Sequence, residues 1–492
     1  MGEMIVNIVV DNRVRIQDAC KLHRDVVRVL LAEFEHTNPT WAKKKRLGLP
    51  VWSEPKTITT WSNREDPNEL HFPRGGLTQV MTVLRKFGHD IEVHDARRFG
   101  VEIGNVTFLR TLYDYQENLV REAMEREQCI VRAPTGSGKT TALLAIASRV
   151  RVPTLVVVHS QALLNQWKDR AVSELGLRPS QVGIVQGKKI NLQPLTLTIQ
   201  KSMANIAAKH EEVRDYFGCV IADEVHLFAA STFFECIDPF PARYRIGASA
   251  DHRRKDQKEF LVHDLFGDVA ADISRRDLVA SGHVLDVEIC VIPTDFDAPW
   301  YGVPEGKEDE RRLDFVRLVK EMGADEDRNR EIIQCVSQEV AKGEQVLVMA
   351  HEREHCMRLG QACVRAGMNA GYLLGGPESS KEFASTLEGL KSGRMQVGVG
   401  TYKAIGTGID LPQVGVAVAT TPISSNKQLF GQVRGRVCRT AEGKKGARLY
   451  VLWDRYVYAR HLRNLVSWNP SVIVRDEEQR WVGGKAYLKK RA

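Results

Sequence analysis

The chain has 492 residues, 43% of them hydrophobic and 27% charged, and its 70 Lys and Arg against 62 Asp and Glu give a net charge of +8. That length makes two to four domains, and the composition excludes a disordered or collagen-like chain. No apolar run approaches the roughly 20 residues that cross a bilayer, and the nine cysteines form no C-x-x-C pair, so no membrane span, zinc ribbon or disulfide framework is expected.

Asp11, Asp18 and Asp25 interrupt the apolar residues of the N-terminus, which lacks a signal-peptide layout. A reducing cytoplasm, bacterial or that of a phage-infected cell, is the expected location. The positive balance leans modestly toward a polyanionic partner.

Residues 1–105 read as a small α+β accessory unit. A helix is expected from Gln17 to Phe34. The basic run Lys43-Lys44-Lys45-Arg46 lies among Trp41, Trp52 and Trp61, and His71–Gly76 reads as a turn entering a second helix. Basic residues interleaved with aromatics suit nucleic-acid contact, while a charged solvent face over core tryptophans explains them as well. From 106 to 294 short β-branched runs alternate with helical stretches: Thr154–Val158, Cys219–Ala222, Tyr244–Gly247. Such near-continuous apolar strands indicate a parallel sheet covered on both faces. Residues 295–325, with Asp297–Pro304 and a charged stretch from Lys307 to Met322, are expected to be a linker and helical insertion. Residues 326–492 read as a second α/β unit, with strands at Val346–Met349, Val397–Gly400, Val414–Val418 and Leu449–Leu452 and a basic tail.

Three motifs carry chemistry. Ala133-Pro134-Thr135-Gly136-Ser137-Gly138-Lys139-Thr140 stands between the run Cys129–Val131 and a helical stretch, the strand–loop–helix setting of a phosphate-binding loop. Ala133 occupies a position where the general pattern has Gly. The glycines let successive N–H groups face one phosphate at a helix N-terminus. Lys139 is expected to reach the β- and γ-phosphates of ATP, and Thr140 to hold Mg²⁺. Asp223-Glu224-Val225-His226 follows the strand at 219–222. A carboxylate at a parallel strand's C-terminal end points into the ligand crevice. Asp223 is expected to hold Mg²⁺ through water, and Glu224 to orient and deprotonate the attacking water. In Gln432–Arg439, Arg436 and Arg439 are three apart and on a helix would share a face. Two such guanidiniums could clamp charge on a transferring phosphoryl group from across an interdomain cleft.

In this order the motifs resemble the superfamily 2 helicases over residues 108–455. The resemblance implies two tandem RecA-like parallel-sheet domains that use ATP and Mg²⁺. It implies adenine recognition by Gln116 in Leu112–Gln116, and a nucleotide-facing fifth motif at Thr401–Asp410 with Gly408 and Asp410. Gln432 joins Arg436 and Arg439 in the sixth. Ser160, Gln161, Thr198, Gln200, Arg353 and Thr401 would contact a nucleic-acid backbone. Gly247–Ala250 looks like the third motif. Within the superfamily the chain looks like the XPB and UvsW-type DNA helicases, since Arg254-Lys255-Asp256 stands where XPB-like enzymes carry Arg-Glu-Asp, and Phe72–Gly75 resembles part of a phage-type DNA-binding domain. Asp251-His252 and Lys255 depart from the family pattern, which bears on the coupling of hydrolysis to strand separation.

The expectation is an ATP-dependent DNA helicase acting on single-stranded, duplex or branched DNA in replication, recombination or repair. Four alternatives stay open: a duplex translocase subunit without unwinding, an RNA helicase, an ATP-gated nucleic-acid clamp and a small-molecule kinase. The Arg-x-Asp and the N-terminal unit lean toward DNA over RNA, and Gln432–Arg439 argues against the kinase. Protein partners are not specified by any motif.

Overall fold

The alternation of β-branched runs and helices builds two parallel sheets of eight strands. In the first, the spatial order is Lys189–Asn191, Val182–Gln186, Leu195–Ile199, Thr154–Val158, Cys219–Asp223, Tyr244–Ser249, Gln128–Arg132 and Val269–Asp272. Among the described residues only the edge strand Lys189–Asn191 pairs antiparallel. Both faces are buried. Along Thr154–Val158, Val156 and Val158 pack into one cluster with Leu143, Leu144 and Trp167, while Leu155 and Val157 pack into the other with Ile130, Phe217 and Val220. This is the period-two pattern of a strand covered on both sides.

The second sheet has the order Ala370–Leu373, Val397–Thr401, Val346–Ala350, Val416–Ala419, Ala447–Asp454, Val287–Thr294, Val472–Arg475 and Trp481–Gly483. It is parallel except at the last pair. The computed structural model describes residues 4–63, 66–104, 106–228, 230–250, 256–301, 308–375, 380–406, 409, 411–423, 427–444, 446–458, 460–469 and 471–490. It divides into two compact units, Met1–Pro134 with Gly138–Ser274, and Thr135–Ser137 with Arg275–Ala492.

That division moves an expected boundary. The strand Val287–Thr294, placed by sequence in the first motor domain, pairs along its full length with Ala447–Asp454 in the second sheet. Parallel pairing is non-local, so the apolar run does not reveal its sheet. The expected insertion also belongs to the second unit. Its helix Glu308–Ala324 buries Leu318 and Met322 against Ala298. Trp300 donates its indole N–H to Glu321 Oε2 at 3.0 Å, and the Arg317 guanidinium lies 4.0 Å from its ring. Trp300 and Tyr301 therefore pack within the second unit.

The N-terminal residues form a four-stranded sheet ordered Leu70–Pro73, Arg13–Ile16, Ile5–Val10, Asp90–Asp95. Its core is shared with the helices Arg24–Glu33 and Leu77–Lys86. Two expectations are corrected here. The first helix starts at Arg24 rather than Gln17, because Asp18 takes a left-handed φ of 52° and Leu22 is extended. Leu70–Pro73 is a strand rather than a turn, pairing with Arg13–Ile16.

This sheet is fastened to the first motor sheet by buried arginines. Arg74 donates to the carbonyls of Asp11 at 3.1 Å and Ala242 at 2.6 Å and to the Gln128 side chain. Arg245 donates to the carbonyls of Asn12 at 3.1 Å and Phe240 at 2.8 Å. Arg13 Nε meets Asp238 Oδ2 at 2.6 Å. Burial pushes both fully enclosed guanidiniums down from their ordinary range, Arg245 to about 10. The Phe72–Gly75 unit is thus an internal joint, and Arg74 is not presented to a nucleic acid.

Gly75 sits where a Cβ would stand 2.2 Å from the His263 carbonyl oxygen and 2.5 Å from the Gly267 nitrogen. Gly75→Ala is expected to destabilise the first unit by about 1–3 kcal/mol or more, because the obstruction is backbone. Denaturant unfolding checks this, and an unchanged midpoint would refute the joint.

Candidate active site

The strand Gln128–Arg132 delivers the chain into the loop 133–138, and the helix Lys139–Arg149 leaves it. Gly136 and Gly138 have φ of 93° and 73°, a left-handed backbone that glycine adopts without steric cost. The helix is buried from Ala142 to Ser148, which holds its N-terminus in place. Lys139, its first residue, is itself buried.

The strand Cys219–Asp223 is buried throughout and ends on Asp223. Glu224 follows in a left-handed conformation, φ 54° and ψ 48°, uncommon for a residue with a side chain and a frequent mark of functional turns. Lys139 Nζ lies 2.7 Å from Glu224 Oε1 and 3.5 Å from Asp223 Oδ1. Asp223 accepts the Trp167 indole N–H at 2.9 Å and the Glu224 backbone N–H at 2.9 Å. His226 Nδ1 is 2.5 Å from Ser249 Oγ and 3.4 Å from Glu224 Oε2.

Burial acts against every charge in this cluster. At Glu224 it is overcome by the Lys139 ammonium, with His226 and His159 adding, and the carboxyl is held at about 2. At Asp223 burial wins and the carboxyl is pushed up. Burial pulls Lys139 down, but the two carboxylates outweigh it and the ammonium stays charged. Burial lowers His159 against the pull of Glu224 and Asp223.

Gln116 is buried in the first turn of the helix Asp114–Arg126. It donates to the Gly138 carbonyl at 3.4 Å and accepts the Tyr113 N–H at 3.0 Å. The rings of Tyr113 and Tyr115 stack with centroids 5.8 Å apart. Among the described residues no three His, Cys, Asp or Glu cluster so as to hold a metal alone. Asp223 with the half-buried Thr140 is a donor set that fits Mg²⁺ carried in with a nucleotide, since that ion keeps several waters and takes one or two carboxylates plus phosphates.

In the second unit, Gln432 and Arg436 lie on the helix Lys427–Val437. Arg436 Nη1 donates to the Ile409 carbonyl at 2.6 Å. The helix ends at Val437, so Arg439 does not share its face as expected and instead forms a β-bridge with Val284. Gly408 and Asp410 lie outside the described residues, as do Asp251, His252, Arg254 and Lys255.

The expected backbone contacts divide into two groups. Ser160 caps the helix Gln161–Leu175, accepting from Leu163 N at 3.4 Å. Exposed Gln161 bonds Asn165 and Gln186, each at 3.0 Å. Thr401 ends its strand and accepts from Ala404 N at 3.2 Å. Arg353 is exposed, with Nη1 on the Gly375 carbonyl at 3.0 Å. These four stand at or just past the C-terminal ends of parallel strands, the edge where ligands bind in such sheets. Thr198 does not join them. Its side chain is fully buried and its hydroxyl donates to the Val185 carbonyl at 2.7 Å. Gln200 is also buried. Alternation along Leu195–Ile199 turns Thr198 inward, and its polar side chain hides that from a sequence reading.

His226 and Ser249 lie within the motifs at 223–226 and 247–250 and Trp167 lies outside the motifs named above, and the sequence assigns none of the three a role. Their signal is indirect. A buried Trp and a buried His each need a polar partner, and the residues supplying it come from other strands.

Two α/β sheets with a phosphate loop and an acidic strand end define a P-loop enzyme on RecA-like domains. The family described as "Type III restriction enzyme, res subunit" matches residues 110–254, and "Helicase conserved C-terminal domain" matches 327–441. The chain belongs to the superfamily 2 helicases and is an ATP-hydrolysing enzyme of that class. It is 26% identical over 407 residues to the DNA 3'-5' helicase XPB of Kineococcus radiotolerans, covering 80% of this chain and 69% of the relative. It is 26% identical to the XPB helicase of Mycobacterium tuberculosis, covering 75% and 66%. The chain thus spans about two thirds of the length of these curated relatives. A structure of S. cerevisiae Dbp5 bound to RNA and ADP BeF3 shares the fold, with TM-score 0.54, 12% identity, and coverage of 73% of this chain and 88% of that one. A structure of T4 UvsW aligns over 96% of this chain and 99% of that one, at 16% identity and a TM-score of 0.44.

Trp167→Phe keeps an aromatic ring and removes the donor to Asp223. A loss of about 1–3 kcal/mol in stability is expected from the carboxylate left short of a partner, together with slower ATP turnover. Wild-type values of both would show that the indole does not position Asp223.

Proposed function

We propose that the chain is an ATP-driven DNA motor that couples hydrolysis to movement on, and remodelling of, duplex or branched DNA. The observation that carries this is the buried Lys139 ammonium between Glu224 and Asp223, at the mouth of a phosphate loop, in a chain matching both helicase domains. Residues 106–274 then serve as the first motor domain and 275–492 as the second, with residues 1–105 as an accessory part of the first.

In this reading Pro134, Thr135, Gly136, Ser137, Gly138 and Lys139 cradle the phosphates, and Gln116 receives the adenine. A triphosphate outbids the carboxylates for Lys139, which releases Glu224 to act on water. Glu224 takes a proton as the water oxygen bonds to the γ-phosphorus and the bond to the β–γ bridging oxygen breaks. Thr140 and Asp223 hold Mg²⁺, which when bound neutralises charge between the phosphates. Gln432, Arg436 and Arg439 act on the transferring group, a role worth roughly 10³–10⁵ in rate in comparable enzymes. The family resemblance assigns Gly408 and Asp410 to the same nucleotide.

Ser160, Gln161, Arg353 and Thr401 position a phosphate backbone without reading sequence. DNA is favoured over RNA by the relatives named as DNA helicases, while the net charge of +8 suits either polyanion. One base-pair step costs roughly 1.4 kcal/mol of stacking, well within one ATP. No helix among the described residues is long and apolar enough to cross a membrane, and we place the chain's work in the cytoplasm. A second reading, movement on intact duplex without unwinding, is favoured by 34% identity over 167 residues to the DNA 3'-5' translocase XPB2 of Sulfurisphaera tokodaii.

The test is ATP hydrolysis at fixed salt, alone and with single-stranded DNA, duplex, fork or RNA. Stimulation by DNA, largest on the fork, is expected. Stimulation by duplex without strand displacement selects the translocase, and rates indifferent to every nucleic acid contradict the motor. Lys139→Ala should fold and lose at least about a hundredfold in turnover.

A further inference from the structure

Between buried Asn38 and buried Thr60 the chain runs over the surface of the first unit. No residue from 39 to 59 is buried. The excursion is nonetheless built. The strands Glu35–Thr37 and Thr57–Thr59 pair antiparallel at its base. Asn38 closes it, donating from its backbone to the Lys56 carbonyl at 3.0 Å and from its side chain to the Pro55 carbonyl at 2.9 Å. The Asn38 side-chain oxygen also accepts from Thr40 N at 3.1 Å, starting the helix Pro39–Arg46.

The arm carries Lys43, Lys44, Lys45, Arg46 and Lys56 against the single acid Glu54. Lys44 pairs with Glu54 at 3.0 Å. Lys45 and Lys56 flank the Trp41 ring at 4.8 and 5.9 Å. Trp52 is 88% exposed, the highest figure for a large hydrophobic side chain among the described residues. A core function does not explain such an arm. Of its residues only Ile58, at the base, packs against a core cluster, and two cations flank the Trp41 ring.

Its base is tied to the motor. The His36 ring stacks on Phe260 at 4.0 Å, and His36 Nε2 is 3.0 Å from Asp264 Oδ2. Thr60 donates to the same carboxylate oxygen at 2.7 Å. Phe260 and Asp264 lie on the helix Phe260–Phe266, the next helix after the strand that carries Ser249. The cavity of about 1420 Å³ beside the arm's base is a weaker candidate. Its Arg13 and Arg98 are already paired with Asp238 and Asp215.

We propose that the arm 39–59 is a nucleic-acid contact of the first motor unit, where Lys43, Lys45 and Arg46 engage backbone phosphates and Trp52 stacks on an unpaired base. This rests on the motor reading above. Stacking on an aromatic face is tolerant of sequence, and phosphate contact makes binding salt-dependent.

The test compares wild type, Trp52→Ala and the triple variant Lys43→Gln/Lys45→Gln/Arg46→Gln for binding to labelled single-stranded and forked DNA across a salt series. ATPase with and without DNA is measured alongside. Trp52→Ala should weaken single-strand binding roughly five- to a hundredfold with little change in salt slope. The triple variant should flatten the salt slope by about 2. Both should keep the wild-type rate of ATP hydrolysis without DNA. Wild-type binding and slope in both variants, with the wild type itself stimulated by DNA, overturns the arm and leaves the motor reading standing. Absence of binding and stimulation in the wild type overturns both. A triple variant that binds DNA normally but loses attachment to phosphatidylserine vesicles makes the arm a membrane contact and overturns the proposal.

Discussion

The site depends on one buried cation. An ammonium removed from water must be paired or give up its charge, and Lys139 is paired by Glu224 at 2.7 Å and Asp223 at 3.5 Å. Two carboxylates facing one ammonium leave a surplus of negative charge. The Trp167 indole and a backbone N–H answer part of it at Asp223, and the neighbouring histidines answer part of it at Glu224. In the proposed motor this surplus is what a nucleotide-bound Mg²⁺ would complement. The left-handed turn at Glu224 and the left-handed glycines at 136 and 138 shape the backbone where the strand ends and the helix start, and so help to set this charge arrangement.

The N-terminal sheet is a part of the first motor unit in the same physical sense. Arg74 donates to two backbone carbonyls and the Gln128 side chain, Arg245 donates to backbone carbonyls, and both are fully enclosed. Gln128, which receives Arg74, lies on the strand that enters the phosphate loop, and Arg245 lies on the strand that ends at Ser249. Buried groups of this kind are strongly destabilising when one partner is removed. The accessory sheet and the strands bearing the site therefore share one rigid frame.

What sequence made legible follows from what is local. The phosphate loop, the acidic strand end and most strand positions were readable because each is a contiguous pattern with a local cause. The strand Val287–Thr294 was assigned to the wrong sheet because pairing partners are distant in sequence. Arg74 was read as part of a DNA-binding motif because its burial depends on carbonyls from Asp11 and Ala242. Thr198 looked like a surface hydroxyl, and only the neighbouring strand shows where its hydrogen bond goes. Arg439 was assumed helical, and the helix stops two residues before it. Trp167 and His226 went unread because their partners, Asp223 and Ser249, come from other strands.

The most direct test of the central claim is calorimetric titration of the chain with a slowly hydrolysed ATP analogue, with and without Mg²⁺. A charge cluster built around Lys139 with surplus acid predicts one nucleotide per chain, bound tightly only when Mg²⁺ is present. No binding, or binding indifferent to Mg²⁺, would contradict it.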